Sequence, residues 1–175
     1  VQARGDLEDA EALFTRALDI GRSAYGPSHP NVATGLSNLA GLLRCQGKLD
    51  EAEPLYRRAV AIGDETLGPD HPDLATWLNN LATLLRDRGV VEEAVPMQRR
   101  AVDIGRRALD PGHPDLAAQV VNLASLLGSL GEGKQCEEAE PLFRQGITEL
   151  ESSLGPDHPD VAAVMSHLAA LLHKQ

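Results

Sequence analysis

HPDLATWLNNLATLLRDRG, residues 71–89, carries the pattern that decides the fold. Its opening His-Pro recurs at His29-Pro30, His71-Pro72, His113-Pro114 and His158-Pro159, at steps of 42, 42 and 45 residues. A second marker, Asp9-Ala10, Glu51-Ala52, Glu93-Ala94 and Glu138-Ala139, repeats at the same steps. Self-similarity of this length signals an array of stacked supersecondary units. Both markers place one three-residue insertion between the third and fourth units. The turn Gly131-Glu132-Gly133-Lys134-Gln135 is the expected place for it, because a connection lengthens at little entropic cost.

Each unit reads as two helices. The first begins after Pro72, whose missing N–H is harmless at the first helical position. It carries Leu78, Leu81, Ala82 and Leu85 at i, i+3, i+4, i+7. Gly89 ends it, as Gly47 and Gly131 do in the neighbouring units. The second helix opens on Asp50, Glu51 and Glu53, which suit the positive end of its dipole, and carries Ala52, Leu55, Tyr56, Ala59 and Ile62. Gly68-Pro69 stops it. Pro54, Pro96 and Pro141 fall about five residues inside the second helix and predict a mild kink. Trp77 takes the place held by Gly35, Gln119 and Val164 elsewhere, so it is expected outside the deep core, as a helix-packing residue; the alternative is a ligand anchor.

Neither helix buries its stripe alone, so the units must stack. The predicted fold is an all-α solenoid of eight helices, a single array over residues 1–175. Helix pairs are expected at 30–67, 72–109 and 114–154, between partial units at 1–26 and 159–175. Val1–Gly5 aligns with Leu43–Gly47, the tail of a first helix, and Gln175 aligns with Gln46. That alignment predicts a piece of a longer array.

Composition agrees. Hydrophobic residues make up 42% and aromatics only 3%, which favours close-packed Leu/Ala helices over β-structure. A net charge of −10 with no basic stripe argues against nucleic acid. No apolar run is long enough to span a membrane. Cys45 and Cys136 lack a partner Cys or His at metal-finger spacing and read as free thiols of a reducing compartment, the cytoplasm.

The segments LNNLATLLRDRG (78–89), LDEAEPLYRRAVAI (49–62) and LGPDHPDLA (67–75) resemble the tetratricopeptide repeat, in the 42-residue form of kinesin light chains and many bacterial relatives. The likeness covers essentially the whole chain. It implies a right-handed superhelix whose first helices line a concave groove for extended or short helical peptides. In that family Asn in the Leu-Asn-Asn-Leu-Ala segment hydrogen-bonds the ligand backbone, and the matching positions here are Asn38, Asn80 and Asn122. One amide per unit suits any peptide unit, since Asn offers both donor and acceptor. The alternative is that Asn pins the helix to its neighbour or is merely solvated.

The fourth unit departs, with His167 at the Asn position, which interrupts the ladder or makes it pH-sensitive. The preceding residues are Ser37, Asn79, Val121 and Ser166, so a double Asn occurs once. Further along come the small residues Gly41, Thr83, Ser125 and Ala170, then Arg44, Arg86, Gly128 and His173. Arg44 and Arg86 suggest an acidic ligand segment; the alternative is ordinary positive charge near helix C-termini.

The four His-Pro pairs sit a whole helix pair apart, too far to share one ion, and are expected to cap helices or pack on loops. No cofactor or metal is implied. No catalytic constellation or phosphate loop is visible, so the chain does not read as an enzyme; Cys45 beside Arg44 is taken as an incidental thiol. Two functions remain. The first is a scaffold binding a protein or peptide partner through Asn38, Asn79, Asn80, Asn122, Thr83, Arg44, Arg86 and His167. The second is a regulatory or self-associating arm of a larger signalling ATPase or protease, acting through Leu-rich faces at the array ends.

Overall fold

The computed structural model describes residues 2–110, 112–131 and 133–174, which form eight α-helices and no strand. They are α1 (Gln2–Tyr25), α2 (Pro30–Cys45), α3 (Leu49–Thr66), α4 (Pro72–Asp87), α5 (Val91–Ala108), α6 (Pro114–Ser129), α7 (Lys134–Leu154) and α8 (Pro159–Lys174). The even helices are the first-type helices of the units and the odd ones the second-type.

Every even helix starts in the same way. The Nδ1 atoms of His29, His71, His113 and His158 accept the backbone N–H of Asn31, Asp73, Asp115 and Asp160 at 3.1, 3.2, 3.2 and 3.2 Å. The histidine thus satisfies one of the orphan donors of the first turn, and the proline between removes another. His71→Ala is expected to cost about 0.5–2 kcal/mol, the usual loss of an N-cap side chain. His71→Asn, which restores an acceptor, should recover most of it. Denaturant midpoints of the two variants check this.

The ends are equally local. Gly47 and Gly89 take φ +77°, a left-handed conformation open to glycine without steric cost. The following N–H groups, of Lys48 and Val90, close onto the carbonyls of Leu43 and Leu85.

Between these signals the stripes do the packing. Ala33, Leu36, Ala40 and Leu43 of α2, and Ala75, Leu78, Ala82 and Leu85 of α4, are all at most 5% exposed. The odd helices meet them with Ala52, Ala59 and Ile62 or Ala94, Ala101 and Ile104, all buried. Alanine at these points lets the axes approach closely while leucine fills the gaps.

Curvature follows from a difference between the rows. Successive even helices, α2 with α4, α4 with α6 and α6 with α8, pack directly on one another. The odd helices do not, and arginines span the gaps between them. Arg57 of α3 reaches Glu93 of α5 at 2.7 Å, Arg99 of α5 reaches Glu138 of α7, and Arg100 of α5 reaches Asp64 of α3. The even row is therefore the inner, concave side and the odd row the outer.

Three details differ from the sequence reading. Trp77 is deep core, only 3% exposed. The reason lies across the helix pair: a Cβ on Gly63 of α3 would sit 2.9 Å from the indole, so the missing side chain makes the room. The insertion is only partly a turn. α3 and α5 have 18 residues and α7 has 21: Lys134 and Gln135, both good helix formers, join its start and Leu154 its end; Glu132 lies outside the described residues. Gln2–Gly5 continue α1 instead of ending a first-type helix. Extension keeps their backbone hydrogen-bonded, which outweighs the ~1 kcal/mol propensity cost of Gly5. Val1 and Gln175 lie outside the described residues.

Candidate functional site

The inner row brings Asn38, Asn80 and Asn122 onto the same turn of α2, α4 and α6. Asn80 and Asn122 are linked to the preceding unit rather than to each other. Asn80 Nδ2 donates to Ser37 Oγ at 3.2 Å, and Asn122 Nδ2 donates to Asn79 Oδ1 at 2.9 Å. These bonds pin neighbouring first helices and fix the amide planes, leaving the carbonyl oxygens of Asn80 and Asn122 without a partner among the described residues. Asn38 is exposed and its amide has no partner among them.

Asn79 accepts a second bond, from a residue that sequence reading did not single out. Gln98 of α5, fully buried, donates from Nε2 to Asn79 Oδ1 and to the backbone oxygen of Gln119, both at 2.9 Å. The equivalent residues in the other units are Phe14, Tyr56 and Phe143. A lone amide in an aromatic column was the available signal. It marks a buried polar node tying α4, α5 and α6 together. Gln98 Oε1 and Gln119 Oε1 are buried without a hydrogen-bond partner among the described residues.

Thr83 Oγ1 donates to the Asn79 carbonyl at 2.9 Å, and Ser125 Oγ to that of Val121 at 2.9 Å. Both hydroxyls turn back on their own helix, which keeps this strip of the groove open.

Two hollows flank the ladder. One, of about 410 Å³, lies between α2 and α4 and is lined by Asn38, Gly41, Arg44, Cys45, Tyr56 and Asn80. The other, of about 280 Å³, lies toward α8, with Arg86, Ser125, Gly128, Phe143, His167 and Leu171 around it. His167 is exposed, its ring centroid 6.3 Å from that of Phe143. Arg86 and His167, from α4 and α8, thus share one hollow.

The charge is unevenly available. Arg44 Nη1 donates to Asp87 Oδ2 at 2.7 Å. Burial works against its charge, but that bond and the Asp87 charge prevail and hold the guanidinium above its ordinary value. Burial likewise pushes the Tyr56 hydroxyl up, with Arg44 opposing. Arg86 Nη2 stands 3.5 Å from the other Asp87 oxygen. One carboxylate between two guanidiniums leaves a net positive charge, centred on Arg86. The aspartate lies 43 residues from Arg44 and has no counterpart in the charge pattern read from sequence.

Cys45 is exposed and Cys136 buried. Among the described residues no group of three or more His, Cys, Asp or Glu is placed to hold a metal, and no helix is long and apolar enough to cross a membrane.

The tetratricopeptide repeat profile matches residues 1–62 and 32–89 in one form, and residues 74–115 and 117–160 in another. Two crystal structures of nearly identical TPR-like repeats from Podosopora anserina, a protein named for the kinesin light chain, are each 27% identical to this chain. One is a point variant of the other; their TM-scores are 0.82 and 0.81, over 99% of this chain and 80% and 81% of theirs. BtubC (BKLC) from P. vanneervenii shares the fold at 23% identity, with a TM-score of 0.85 over 99% of this chain and 68% of that one. No curated protein sequence matches.

Proposed function

This chain belongs to the tetratricopeptide repeat family, with repeats of the kinesin-light-chain-like kind, and from that premise we propose that its even-helix row binds a peptide segment of a partner protein. Repeats of this family generally mediate protein–protein interactions, on a fold that is typically a non-enzymatic scaffold. The observation that carries the finer reading is the amide ladder. Asn80 and Asn122 each give one amide N–H to the neighbouring unit. Their oxygens then meet successive N–H groups of a ligand backbone whatever its side chains. Asn38 supplies both groups, while Asn79 sits behind the ladder as its anchor. Thr83 contributes space and Arg86 the charge. Arg44, bound to Asp87, holds Arg86's neighbour in place more than it attracts ligand. An acidic residue of the ligand pairs with Arg86 in the hollow it shares with His167, which ends the ladder.

Partners captured by the chain and narrowed to a peptide give the probe. Asn80→Ala with Arg86→Ala is expected to remove one amide bond and one charge-assisted bond, about 2–4 kcal/mol or roughly 30- to 1,000-fold in affinity. Helicity should stay the same and Tm within a few degrees. Unchanged affinity in that double variant would overturn the groove assignment.

A further inference from the structure

Arg44 and Arg86 hold the same place in α2 and α4, one unit apart, and their side chains are almost equally exposed, at 32% and 37%. What separates them is the residue that each meets one unit on. Arg44 reaches across to Asp87 of α4 and donates to Oδ2 at 2.7 Å. Arg86 stands 3.5 Å from the other oxygen, longer than an ordinary hydrogen bond. The position of Asp87 is held by Cys45, Ser129 and Lys174 in the other units, so this is its only carboxylate. Ser129 lines the hollow between α6 and α8 together with Arg86, and its hydroxyl donates to Leu126 O at 2.7 Å. It offers Arg86 no charge. Gly128, where the earlier units carry Arg44 and Arg86, keeps that hollow open. A Cβ there would lie 3.3 Å from Leu171 and 4.0 Å from Phe143, two residues of its lining.

The Arg44–Asp87 contact is therefore a built-in copy of the one that Arg86 lacks. A carboxylate seated beside Ser129 stands to Arg86 as Asp87 stands to Arg44, with the same charge-assisted bond and an acid that comes from the ligand. Resting on the peptide reading above, we propose that Asp87 is the specificity-determining residue of the groove. By neutralising Arg44 from within, it turns acid away from that position and steers the acidic residue of a bound peptide to Arg86, beside Ser129. An acid brought to Arg44 has either to displace Asp87 or to face it, and like charges set against each other discriminate strongly. The amide ladder accepts any sequence and by itself leaves a peptide free to slide. The difference between the two arginines fixes one register. Their two acid positions are one unit apart, about 8–10 Å for packed helices, which an extended chain covers in about three residues.

Random dodecapeptides displayed on phage and selected on the whole chain are the probe; groove binders are those whose affinity falls with Asn80→Ala. On the wild type they should share an acidic residue at one fixed position, contributing roughly 5- to 10-fold in affinity, as a part-exposed ion pair does. Ser129→Asp gives Arg86 the partner that Arg44 has, and should remove that preference. Asp87→Asn frees Arg44 and should add a second acidic position about three residues away; a further Arg44→Ala should erase it. Asp87→Asn combined with Ser129→Asp should move the acidic position from the one place to the other. A purely structural tie between α2 and α4 would lower Tm and leave the selected sequences as they were. A preference that survives Ser129→Asp, or that gains no second position in Asp87→Asn, therefore overturns the inference. Should circular dichroism show one of these variants unfolded, the other decides. Groove binders without any fixed acidic position overturn it too, and leave the amide ladder standing. Selection of no groove binder at all overturns the peptide reading, and this inference with it.

Discussion

Trp77→Ala is expected to lose about 3–5 kcal/mol of stability, the range for truncating a buried aromatic residue. The indole is 3% exposed and fills the space left by the absent side chain of Gly63. The surroundings collapse poorly, because α3 and α4 are each held by two neighbours. The two positions should also be coupled. Gly63→Ala alone places a methyl 2.9 Å from the ring, and overpacking of that kind costs about 1–3 kcal/mol. With Trp77 already truncated the same change should be neutral or stabilising by up to ~1 kcal/mol, the helix-propensity gain of alanine over glycine. Denaturant unfolding of the two single variants and the double variant measures the coupling. Additive losses would show that the glycine and the indole are independent.

Gln98→Ala carries the second large effect, about 2–4 kcal/mol. It opens a cavity in a fully buried site, and it strips a hydrogen bond from the Gln119 carbonyl and another from Asn79. Neither acceptor is left bare, since Asn79 Oδ1 keeps the bond from Asn122 and the Gln119 carbonyl keeps its place inside α6, so the loss is that of packing plus two second bonds. Gln98→Leu separates the contributions: it keeps most of the volume, removes the unpaired Oε1 and still deprives the Gln119 carbonyl. A loss confined to the alanine variant would show that packing outweighs the hydrogen bonds; similar losses in both would show the reverse. Chemical denaturation reports either. Because Gln98 also holds the Asn79 oxygen that receives Asn122, both variants should loosen the ladder between α4 and α6.

The backbone of this molecule was open to reading because its signals are local. His-Pro at helix starts, glycine at helix ends and the i, i+3, i+4 stripes act within a few residues, and each recurs at the same interval. The row of Asn38, Asn80 and Asn122 was legible only through the resemblance to the tetratricopeptide repeat, whose Leu-Asn-Asn-Leu-Ala segment has a counterpart in each unit. Illegible features were those set by a partner on another helix. The position of Trp77 tolerates glycine, glutamine and valine, which looks like a surface pattern until Gly63 and Gly105 are seen facing it. Gly105 stands opposite Gln119 just as Gly63 stands opposite Trp77. Arg44 read as free groove charge because nothing near it in sequence signals Asp87. Gln98 drew no reading, because the two oxygens it bonds belong to α4 and α6.

The glycine–indole pair also says where this array divides into inheritable parts. The helix signals are self-contained, so a duplication or exchange of 42 residues leaves each backbone intact wherever the cut falls. Side-chain compensation is less forgiving. A cassette running from Leu49 to Asp87 carries Gly63 and Trp77 together, and one from Val91 to Ser129 carries Gly105 and Gln119 together. A cassette cut at Pro30 or Pro72 ends on the odd helix and parts the glycine from the residue it accommodates. The unit that travels without loss is therefore an odd helix with the even helix after it, out of phase with the helix–turn–helix hairpin that the His-Pro signals mark.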